Sequence, residues 1–257
     1  MIWSRRWRHL FDVVLVLVIR DQRSRFSSTL FGVVWAVASP ALYLLTFYFL
    51  FRVVLPLGIP NYAAHLFIGL IAWIWLQTST IEAVGSIVGN SSLINQPGFP
   101  RVALPAVAAA SNLLTMILTT PLLVIILFVS DTSPGWTLLS LPAILTVQLC
   151  VVLAIGYFVA ALNVPFRDLQ YIVPIVLQLG YFATPIFYDV AALPERALRV
   201  LSLNPMLHVI EAYRDVLMRG EWPDWIALTV VLLVSLVALG AALVTFRHAS
   251  LRFLEDL

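Results

Sequence analysis

Six long apolar segments without a charged side chain constrain the fold more than any other feature of the sequence. They cover residues 26–51, 62–81, 102–130, 138–162, 169–188 and 226–246. A helix needs roughly 20 apolar residues to cross the ~30 Å hydrocarbon core of a bilayer. We therefore predict an all-α integral membrane protein with six transmembrane helices, in which residues 1–257 form a single transmembrane domain.

The composition supports this prediction and excludes other classes of protein. Hydrophobic residues make up 61% of the 257 residues and charged residues 11%. Soluble domains contain about 45–50% apolar and about 25% charged residues. The net charge of +2 offers no basic surface for nucleic acid. A soluble domain, a disordered chain and a nucleic-acid-binding protein are therefore excluded.

The distribution of arginine predicts the orientation of the chain. Six spans place both termini on one side, and ten of the fifteen arginines fall on that side. Four of the other five lie in one loop, between the fifth and sixth spans. Because short loops rich in arginine stay in the cytoplasm, we predict a multi-pass protein of the cytoplasmic (inner) membrane with both termini in the cytoplasm.

Residues 1–25 combine arginines with tryptophans and are predicted to form an N-terminal interfacial helix on the cytoplasmic side. They do not resemble a cleavable signal peptide. The apolar run 13–19 is short, and Arg20 and Asp21 follow it instead of small residues. Two roles stay open for this segment: a charged anchor that fixes the topology, or a further role in function.

The residues that carry most enzyme chemistry are scarce. All 15 basic residues are arginine, which excludes a phosphate-binding GxxxxGKS/T loop and a lysine nucleophile. The single cysteine, Cys150, excludes a multi-cysteine zinc site, and the four histidines are scattered without an HExxH pattern. We expect a protein that is not an enzyme and has no cofactor or metal of its own. If ATP is used, another chain hydrolyses it.

The loop 82–101 is predicted to form a short cytoplasmic helix with a rigid exit. The spacing of Ile81, Val84 and Val88 makes one side of this helix apolar. The prolines of the sequence PGFP end the helix, and the glycine between them permits a sharp turn. Such a helix suits docking into the groove of a partner protein. A plain connector is the alternative.

The loop 189–224 is predicted to form two short helices on the external side. The first covers about 193–203, and the second begins at Asn204 and Pro205, which are favoured at the cap and first position of a helix. Two acid–arginine pairs are spaced to bond within the second helix: Glu211 with Arg214, and Asp215 with Arg219. Two half-buried helices here resemble a re-entrant gate. A hairpin lying on the outer surface is the alternative.

Seven aromatic residues of the first and fifth spans are candidates to line a channel. They are Tyr43, Phe47, Phe51, Tyr181, Phe182, Phe187 and Tyr188. Sugar rings have apolar C–H faces that pack on aromatic rings, so an aromatic wall would let a glycan slide. Most aromatic residues of membrane proteins serve as interfacial belts or packing instead, and that alternative stays open.

Three blocks of sequence resemble the ABC-2-type polysaccharide exporter permeases, in the order that this family has them. The first block holds Arg20-Asp21, Arg25-Phe26, Gly32, Trp35 and Pro40. The second holds Phe67-Ile68-Gly69-Leu70, Trp73, Asn90, Leu93-Ile94, Phe99-Pro100-Arg101 and Leu104-Pro105. The third holds Phe166-Arg167-Asp168, Thr184-Pro185-Ile186-Phe187-Tyr188, Asn204-Pro205-Met206 and Tyr213-Arg214. Within the family the sequence is most similar to the Wzm-like O-antigen exporters, with capsule and teichoic-acid permeases as near relatives.

The resemblance implies a transport subunit of an ATP-driven exporter. Two copies of the chain would form the membrane channel as a homodimer. Two copies of a separate P-loop ATPase would dock below it and bind ATP and Mg²⁺. The cargo would be a lipid-linked polysaccharide, above all O-antigen, on a polyprenyl pyrophosphate carrier.

The resemblance also implies roles for single residues. The ATPase-coupling residues would be Ile87, Asn90, Leu93, Ile94, Phe99, Pro100 and Arg101. The external gate would include Asn204, Pro205, Met206, Glu211, Tyr213 and Arg214. Arg20, Arg23 and Arg25 are candidate ligands of the carrier pyrophosphate, since arginine binds phosphate through paired hydrogen bonds; fixing the topology is their alternative role. Gly32, Pro40 and Pro185 are candidate bending points.

Two other functions stay open at this level. A type-2 ABC exporter permease for a drug or a lipid would have the same fold and a smaller cargo. A membrane-embedded glycan-modifying enzyme would need histidine, aspartate or glutamate clustered at one membrane face, whereas the histidines here are dispersed along the sequence.

Overall fold

The computed structural model describes residues 2–27, 31–130, 132 and 135–250, with side chains from residue 8 onward. These residues are helical and include no strand, which confirms the predicted all-α class. They form α1 (Ile2–Ser27), α2 (Val34–Tyr48), α3 (Tyr62–Gly85), α4 (Ser91–Ile94), α5 (Ala103–Val129), α6 (Leu141–Asn163), α7 (Leu169–Ala183), α8 (Glu195–Leu201), α9 (Pro205–Arg214) and α10 (Trp225–Ser250). Short 3₁₀ or π turns extend or join these helices at Phe49–Val54, Val88–Asn90, Trp136–Ser140, Val190–Ala192 and Asp215–Arg219.

Five helical segments of the described chain are long and apolar enough to cross a membrane. They cover Val34–Val54, Tyr62–Gly85, Ala103–Val129, Trp136–Asn163 and Trp225–Ser250. The remaining predicted span, α7, has 15 residues. At 1.5 Å per residue it measures about 22 Å, less than the ~30 Å hydrocarbon core. The multi-pass character is therefore confirmed, whereas the count of six spans stays a prediction.

The first span begins eight residues later than predicted. We expected a helix from residue 26, but α1 continues to Ser27 and residues 31–33 form a turn before α2. Gly32 has a φ of +47° in this turn, a left-handed conformation that glycine adopts easily because it has no Cβ. The predicted bending point Gly32 is thus the corner between α1 and α2, and Pro40 lies buried within α2.

The fifth predicted span ends five residues before its predicted end at residue 188. α7 stops at Ala183 because Thr184 precedes Pro185 and is extended, with φ −90° and ψ 141°; a proline disfavours the helical conformation in the residue before it. Segment 184–188 continues as irregular backbone and is mostly buried. Irregular backbone at membrane depth needs hydrogen-bond partners inside the protein, and here α3, α7 and α9 supply them.

α3 forms the centre of the bundle and is the most buried of the five spans. Its side chains Leu66, Phe67 and Trp75 are at most 1% exposed. The indole of Trp75 donates a hydrogen bond to the carbonyl of Ala109 in α5 at 3.1 Å, so its polar group is satisfied in the apolar interior. α2, α5, α6, α7 and α9 all pack against this helix, so a shift of α3 is felt throughout the bundle.

The two ends of the bundle differ. At one end, Leu17 of α1, Ile87, Tyr157 of α6 and Phe246 of α10 belong to one apolar cluster. We call this the terminal end, because α1 and the last turns of α10 meet there. At the opposite end, segment 184–188 contacts the start of α3. α6 ends at the terminal end, and α7 leads the chain from there to the opposite end. α10 then returns to the terminal end, so that its last turns lie on the same side as α1.

Candidate functional site

The predicted coupling segment lies at the terminal end, directly after α3. It consists of the turn Val88–Asn90 and the single helical turn of α4, and Gly98 then reverses the chain with a φ of +82°. The Asn90 side chain donates to the carbonyl of Ser86 at 2.9 Å, which fastens the segment to the end of α3. The predicted short helix with a sharp exit is thus present, but in two pieces.

The predicted coupling residues are buried or half-buried, and none of them is exposed. Ile87 and Ile94 are 0% and 2% exposed, and Leu93 and Phe99 pack against the same cluster. The outward surface is formed chiefly by residues 95–98. The buried isoleucines therefore hold the segment in place, and residues 95–98, which lie outside the predicted set, form its exposed surface.

The exit of the coupling segment is held by α6 and α10. Arg101 donates a hydrogen bond to the carbonyl of Ser250 at the end of α10. The hydroxyl of Tyr157 in α6 donates to the carbonyl of Val102 at 2.6 Å. Pro100 is half-buried between these two anchors. The end of the segment therefore moves only together with these helices.

Arg25 joins α1 to α3 and α5 close to the coupling segment. Its Nε donates to Asp21 at 2.8 Å, and its Nη2 donates to Glu82 of α3 at 2.6 Å. Its Nη1 donates to the Asn112 amide oxygen of α5 at 3.2 Å. The amide nitrogen of Asn112 donates to the same Glu82 oxygen at 2.7 Å. Three helices thus meet in one network that engages all three guanidinium nitrogens.

The charges of this network stabilise each other. Burial by itself lowers the pKa of the Arg25 guanidinium, but the hydrogen bond and charge of Glu82 and the charge of Asp21 outweigh it, so that the pKa is raised above its ordinary value. The side chains of Arg25 and Glu82 are 28% and 37% exposed. Water therefore partly screens the ion pair, which is weaker than a fully buried one.

The three arginines predicted to bind a pyrophosphate have different surroundings. Arg20 and Arg23 are exposed. Arg20 lies on the wall of a cavity of about 500 Å³ between α1, α3 and α5, together with Arg25 and Glu82. All three Arg25 nitrogens bond within the protein, whereas Arg20 and Arg23 are exposed, so these two guanidinium groups are the more accessible to an anion.

Five of the seven predicted channel aromatics form one packed cluster. They are Phe47, Phe51, Tyr181, Phe182 and Phe187. The ring of Phe187 is 5% exposed and its centroid lies 4.6 Å from that of Phe47. Tyr43 and Phe182 are 54% and 56% exposed, and Tyr188 is half-buried. The inner rings pack α2 against α7, and Tyr43 and Phe182 are the rings that offer most surface to a cargo.

Segment 184–188 is bonded to α3, α7 and α9. The Thr184 hydroxyl donates to a carbonyl in the last turn of α7 at 2.7 Å and accepts from the Asn204 amide at 2.8 Å. The hydroxyl of Tyr62 in α3 donates to the carbonyl of Phe187 at 3.2 Å. The irregular backbone thus has the internal partners that membrane depth demands.

Arg214, the last residue of α9, is 0% exposed and ties the same region together. Its Nη2 donates to the carbonyls of His65 and Ile186, each at 3.1 Å. Its Nη1 donates to Glu211 at 2.8 Å. Both acid–arginine pairs predicted for this region are present, Glu211 with Arg214 and Asp215 with Arg219. A buried guanidinium is tolerated here because α3, α9 and segment 184–188 all supply acceptors.

The two predicted gate helices differ in burial. Asn204 caps α9 as predicted, with its side chain accepting from the Met206 amide at 3.0 Å, and Pro205 is the first residue of the helix. The Tyr213 hydroxyl donates to Gln148 of α6 at 2.9 Å. None of the seven residues of α8 is buried. The two predicted helices are thus present, with α9 in the core and α8 only partly covered, and the re-entrant gate stays a prediction.

Sequence reasoning missed three polar residues that organise these regions. Glu82 and Asn112 form the network with Arg25, and Gln148 joins α6 to α3 and α9, because it also donates to the carbonyl of Ala72 at 2.8 Å. A signal for them was present, since polar residues within apolar spans are costly and mark functional or organising positions. The described residues contain no group of three or more His, Cys, Asp or Glu side chains arranged to hold a metal ion.

The described residues thus form a helical bundle with several segments long and apolar enough to cross a membrane. Residues 12–218 match the ABC-2 type transporter family. The match covers most of the chain, and the chain belongs to this family. It is a multi-pass transport subunit and not an enzyme, as the sequence predicted.

Known permeases resemble the chain over nearly its whole length. The O-antigen export system permease protein RfbA of Myxococcus xanthus is 32% identical over 95% of both chains. The protein of the same name from Klebsiella pneumoniae is 29% identical over 97% of this chain and 96% of its own. The polysialic acid transport protein KpsM of Escherichia coli is 26% identical over 91% of this chain and 92% of its own. The similarity therefore extends from α1 through the gate helices.

Proposed function

We propose that this chain is the channel-forming subunit of an ATP-driven ABC exporter that moves a lipid-linked polysaccharide, above all O-antigen, across the cytoplasmic membrane. The observation that carries the proposal is similarity over more than nine-tenths of the chain to permeases named for O-antigen and polysialic acid. A drug or lipid exporter of the same family is the alternative, and its cargo would need no aromatic wall.

The channel forms between two copies of the chain. The exposed apolar faces of α2 and α7 support this arrangement, because they lie on either side of the aromatic cluster. They carry Leu42, Leu45, Ile175 and Leu179, all exposed, besides Tyr43 and Phe182. In a homodimer these faces would meet or line the channel, where the two rings offer the glycan weak contacts that allow it to slide.

Arg20 and Arg23 bind the pyrophosphate of the polyprenyl carrier. Their exposure and the cavity beside Arg20 support this role, as does the bidentate geometry with which guanidinium groups recognise phosphate. The lipid tail stays in the membrane while the glycan enters the channel. Arg25 supports this site indirectly, because it joins α1 to α3 and α5.

A separate P-loop ATPase supplies the energy and binds ATP and Mg²⁺. Residues 95–98 form the outward surface of the coupling segment and contact this partner. Closure of two ATPase copies pushes the segment and α3. At the other end α8 and α9 form the external gate, in which Arg214 and Tyr213 tie α9 to α3, α6 and segment 184–188. The arginine excess around the termini supports their cytoplasmic location.

Deletion of the gene in its native cell tests the proposal. We expect lipid-linked glycan to accumulate inside the cell and to disappear from the surface, as detected with a lectin or antibody on intact and on permeabilised cells. A wild-type copy restores surface glycan. Unchanged surface glycan together with altered sensitivity to drugs would overturn the polysaccharide assignment and favour the alternative exporter.

A further inference from the structure

The Arg25 network lies between two cavities. One of about 500 Å³ separates α1 from the coupling segment, and its wall includes Arg25, Glu82 and Asn90. The other, of about 190 Å³, lies among α2, α3 and α5, and Arg25 and Asn112 line it together with Pro40. The bridge therefore stands where free space on both sides permits helices to shift.

Glu82 lies in the last turn of α3, just before the coupling segment. It is three residues before the end of α3 at Gly85, and the turn that begins at Val88 follows at once. The end of α3 is held to α6 by the Asn163 amide, which donates to the carbonyl of Val84 at 2.9 Å. A push on the coupling segment therefore displaces the Glu82 carboxylate together with the end of α3.

Arg25 lies at the other side of the bridge, in the last turn of α1. Eight residues separate it from the start of α2 at Val34, the helix whose exposed face supports a role as channel wall. α1 is attached to α5 by the Gln22 side chain, which donates to the carbonyl of Ser111 at 2.7 Å. The ion pair with Glu82 is thus a direct polar link from the coupling segment to the connection that leads into α2.

We propose that Glu82 and Arg25, with Asn112 between them, couple movement of the coupling segment to α1 and α2, and that Glu82 is the positioning residue of this link. The proposal rests on the proposed function, because it assumes that a partner ATPase pushes the segment. It assigns Arg25 a different task from Arg20 and Arg23. Those two meet the cargo, whereas Arg25 transmits movement.

The geometry favours transmission over phosphate binding by Arg25. A phosphate at Arg25 would meet two carboxylates, Asp21 and Glu82, that lie within 2.8 Å of the guanidinium and would repel it. The third partner, Asn112, is buried and bonds both Arg25 and Glu82, so the guanidinium is already held in place. Arg20 lies exposed on the wall of the same cavity.

A charge swap separates the two roles of Arg25. The complex of permease and ATPase is tested as Arg25→Glu, as Glu82→Arg and as the double variant. All are made in an Asp21→Asn background, which removes the repulsion between Asp21 and a glutamate at position 25. Asn112 is compatible with the swap, because its amide can rotate to donate to the new glutamate and accept from the new arginine. The readouts are exported glycan, ATP hydrolysis and thermal stability.

Each single variant is expected to lower glycan exported per ATP hydrolysed by about tenfold, while ATP hydrolysis stays close to that of the Asp21→Asn background and the like charges lower thermal stability only modestly. The double variant is expected to recover export to within about twofold of that background. Recovery of the ratio distinguishes transmission from a merely structural role, which would lower stability and both activities together. The exposed Arg247 at the same end, changed to Gln, controls for loss of an arginine and is expected to export normally.

Three outcomes would overturn the proposal. If the double variant stays as inactive as Arg25→Glu although it is folded and hydrolyses ATP, Arg25 acts on the cargo. If Glu82→Gln alone exports normally for each ATP hydrolysed, the link carries no movement; this variant decides the matter even where the swapped pair fails to fold. If stability falls in step with export, the network is only structural. Failure of the wild-type complex to export glycan would instead contradict the proposed function.

Discussion

Arg214→Leu is expected to lower the stability of the protein more than any other substitution at the end of the bundle opposite the terminal end. The guanidinium is 0% exposed and donates to two backbone carbonyls and to Glu211. Leucine fills some of the volume but donates nothing. The carbonyl of Ile186, in irregular backbone, then stays buried without its partner, and that of His65 keeps only its bond within α3. Glu211 keeps a bond to Arg219 at 3.1 Å, so it is not stranded completely.

The magnitude follows from these partners. An unsatisfied buried acceptor costs about 1–3 kcal/mol, and removal of one member of a buried ion pair costs about 3–5 kcal/mol. We therefore expect a loss of about 3–5 kcal/mol in the free energy of unfolding. At about 2–4 °C per kcal/mol for a chain of this size, the Tm falls by roughly 10 °C. Arg214→Lys should lower the Tm by less, because the ammonium of lysine keeps a positive charge beside Glu211, although it lacks the planar fork of the guanidinium.

Thermal unfolding of the purified protein in mild detergent measures this effect. Arg199→Leu is the matched control, because Arg199 pairs with Glu195 at 3.5 Å on α8 and its side chain is 79% exposed; its Tm should stay within about 1 °C of wild type. Replacement of both Arg214 and Glu211 by leucine should not restore the Tm, since the Ile186 carbonyl remains unpaired. A wild-type Tm for Arg214→Leu would refute the argument that this carbonyl depends on the guanidinium.

Three further substitutions test other regions of the molecule. Gly69→Ala brings a Cβ to 3.2 Å from the Arg214 Nη2 and should cost about 1–3 kcal/mol through overpacking; an unchanged Tm would contradict this close approach. Tyr213→Phe leaves the Gln148 oxygen without its donor and should cost about 1–2 kcal/mol, measured in the same unfolding assay against wild type. Tyr43→Ala removes an exposed ring and should lower the rate of glycan export without lowering the Tm, whereas normal export would mean that this ring does not line the channel.

The spans could be predicted from the sequence because charges and loops bracket them. The span that starts at Tyr62 begins at the predicted residue, and the one that starts at Ala103 begins one residue later than predicted. The start of the first span and the end of the fifth were predicted less accurately, and both errors have local causes. Hydropathy does not register the positive φ of Gly32, nor the extended conformation that Pro185 imposes on Thr184. Gly32 and Pro185 are both evident in the sequence. The apolar run continues past each of them, however, so hydropathy marks no end of a helix there.

The contacts of the site were predictable only where they are local. Glu211 and Arg214 are three residues apart, and their pairing follows from helix geometry. The pairing of Arg25 with Glu82 spans 57 positions, and no periodicity reports it. The carbonyls that Arg214 reaches belong to α3 and to segment 184–188, so they depend on tertiary packing alone. Burial of α9 and exposure of α8 have the same origin.

Native mass spectrometry of the tagged chain, purified from its own membranes in mild detergent, tests most directly whether it is the membrane half of an ABC exporter. The account predicts a complex that contains two copies of this chain and two copies of a P-loop ATPase. A well-expressed chain that leaves the membrane without any ATPase, under conditions that keep other membrane complexes intact, would contradict it.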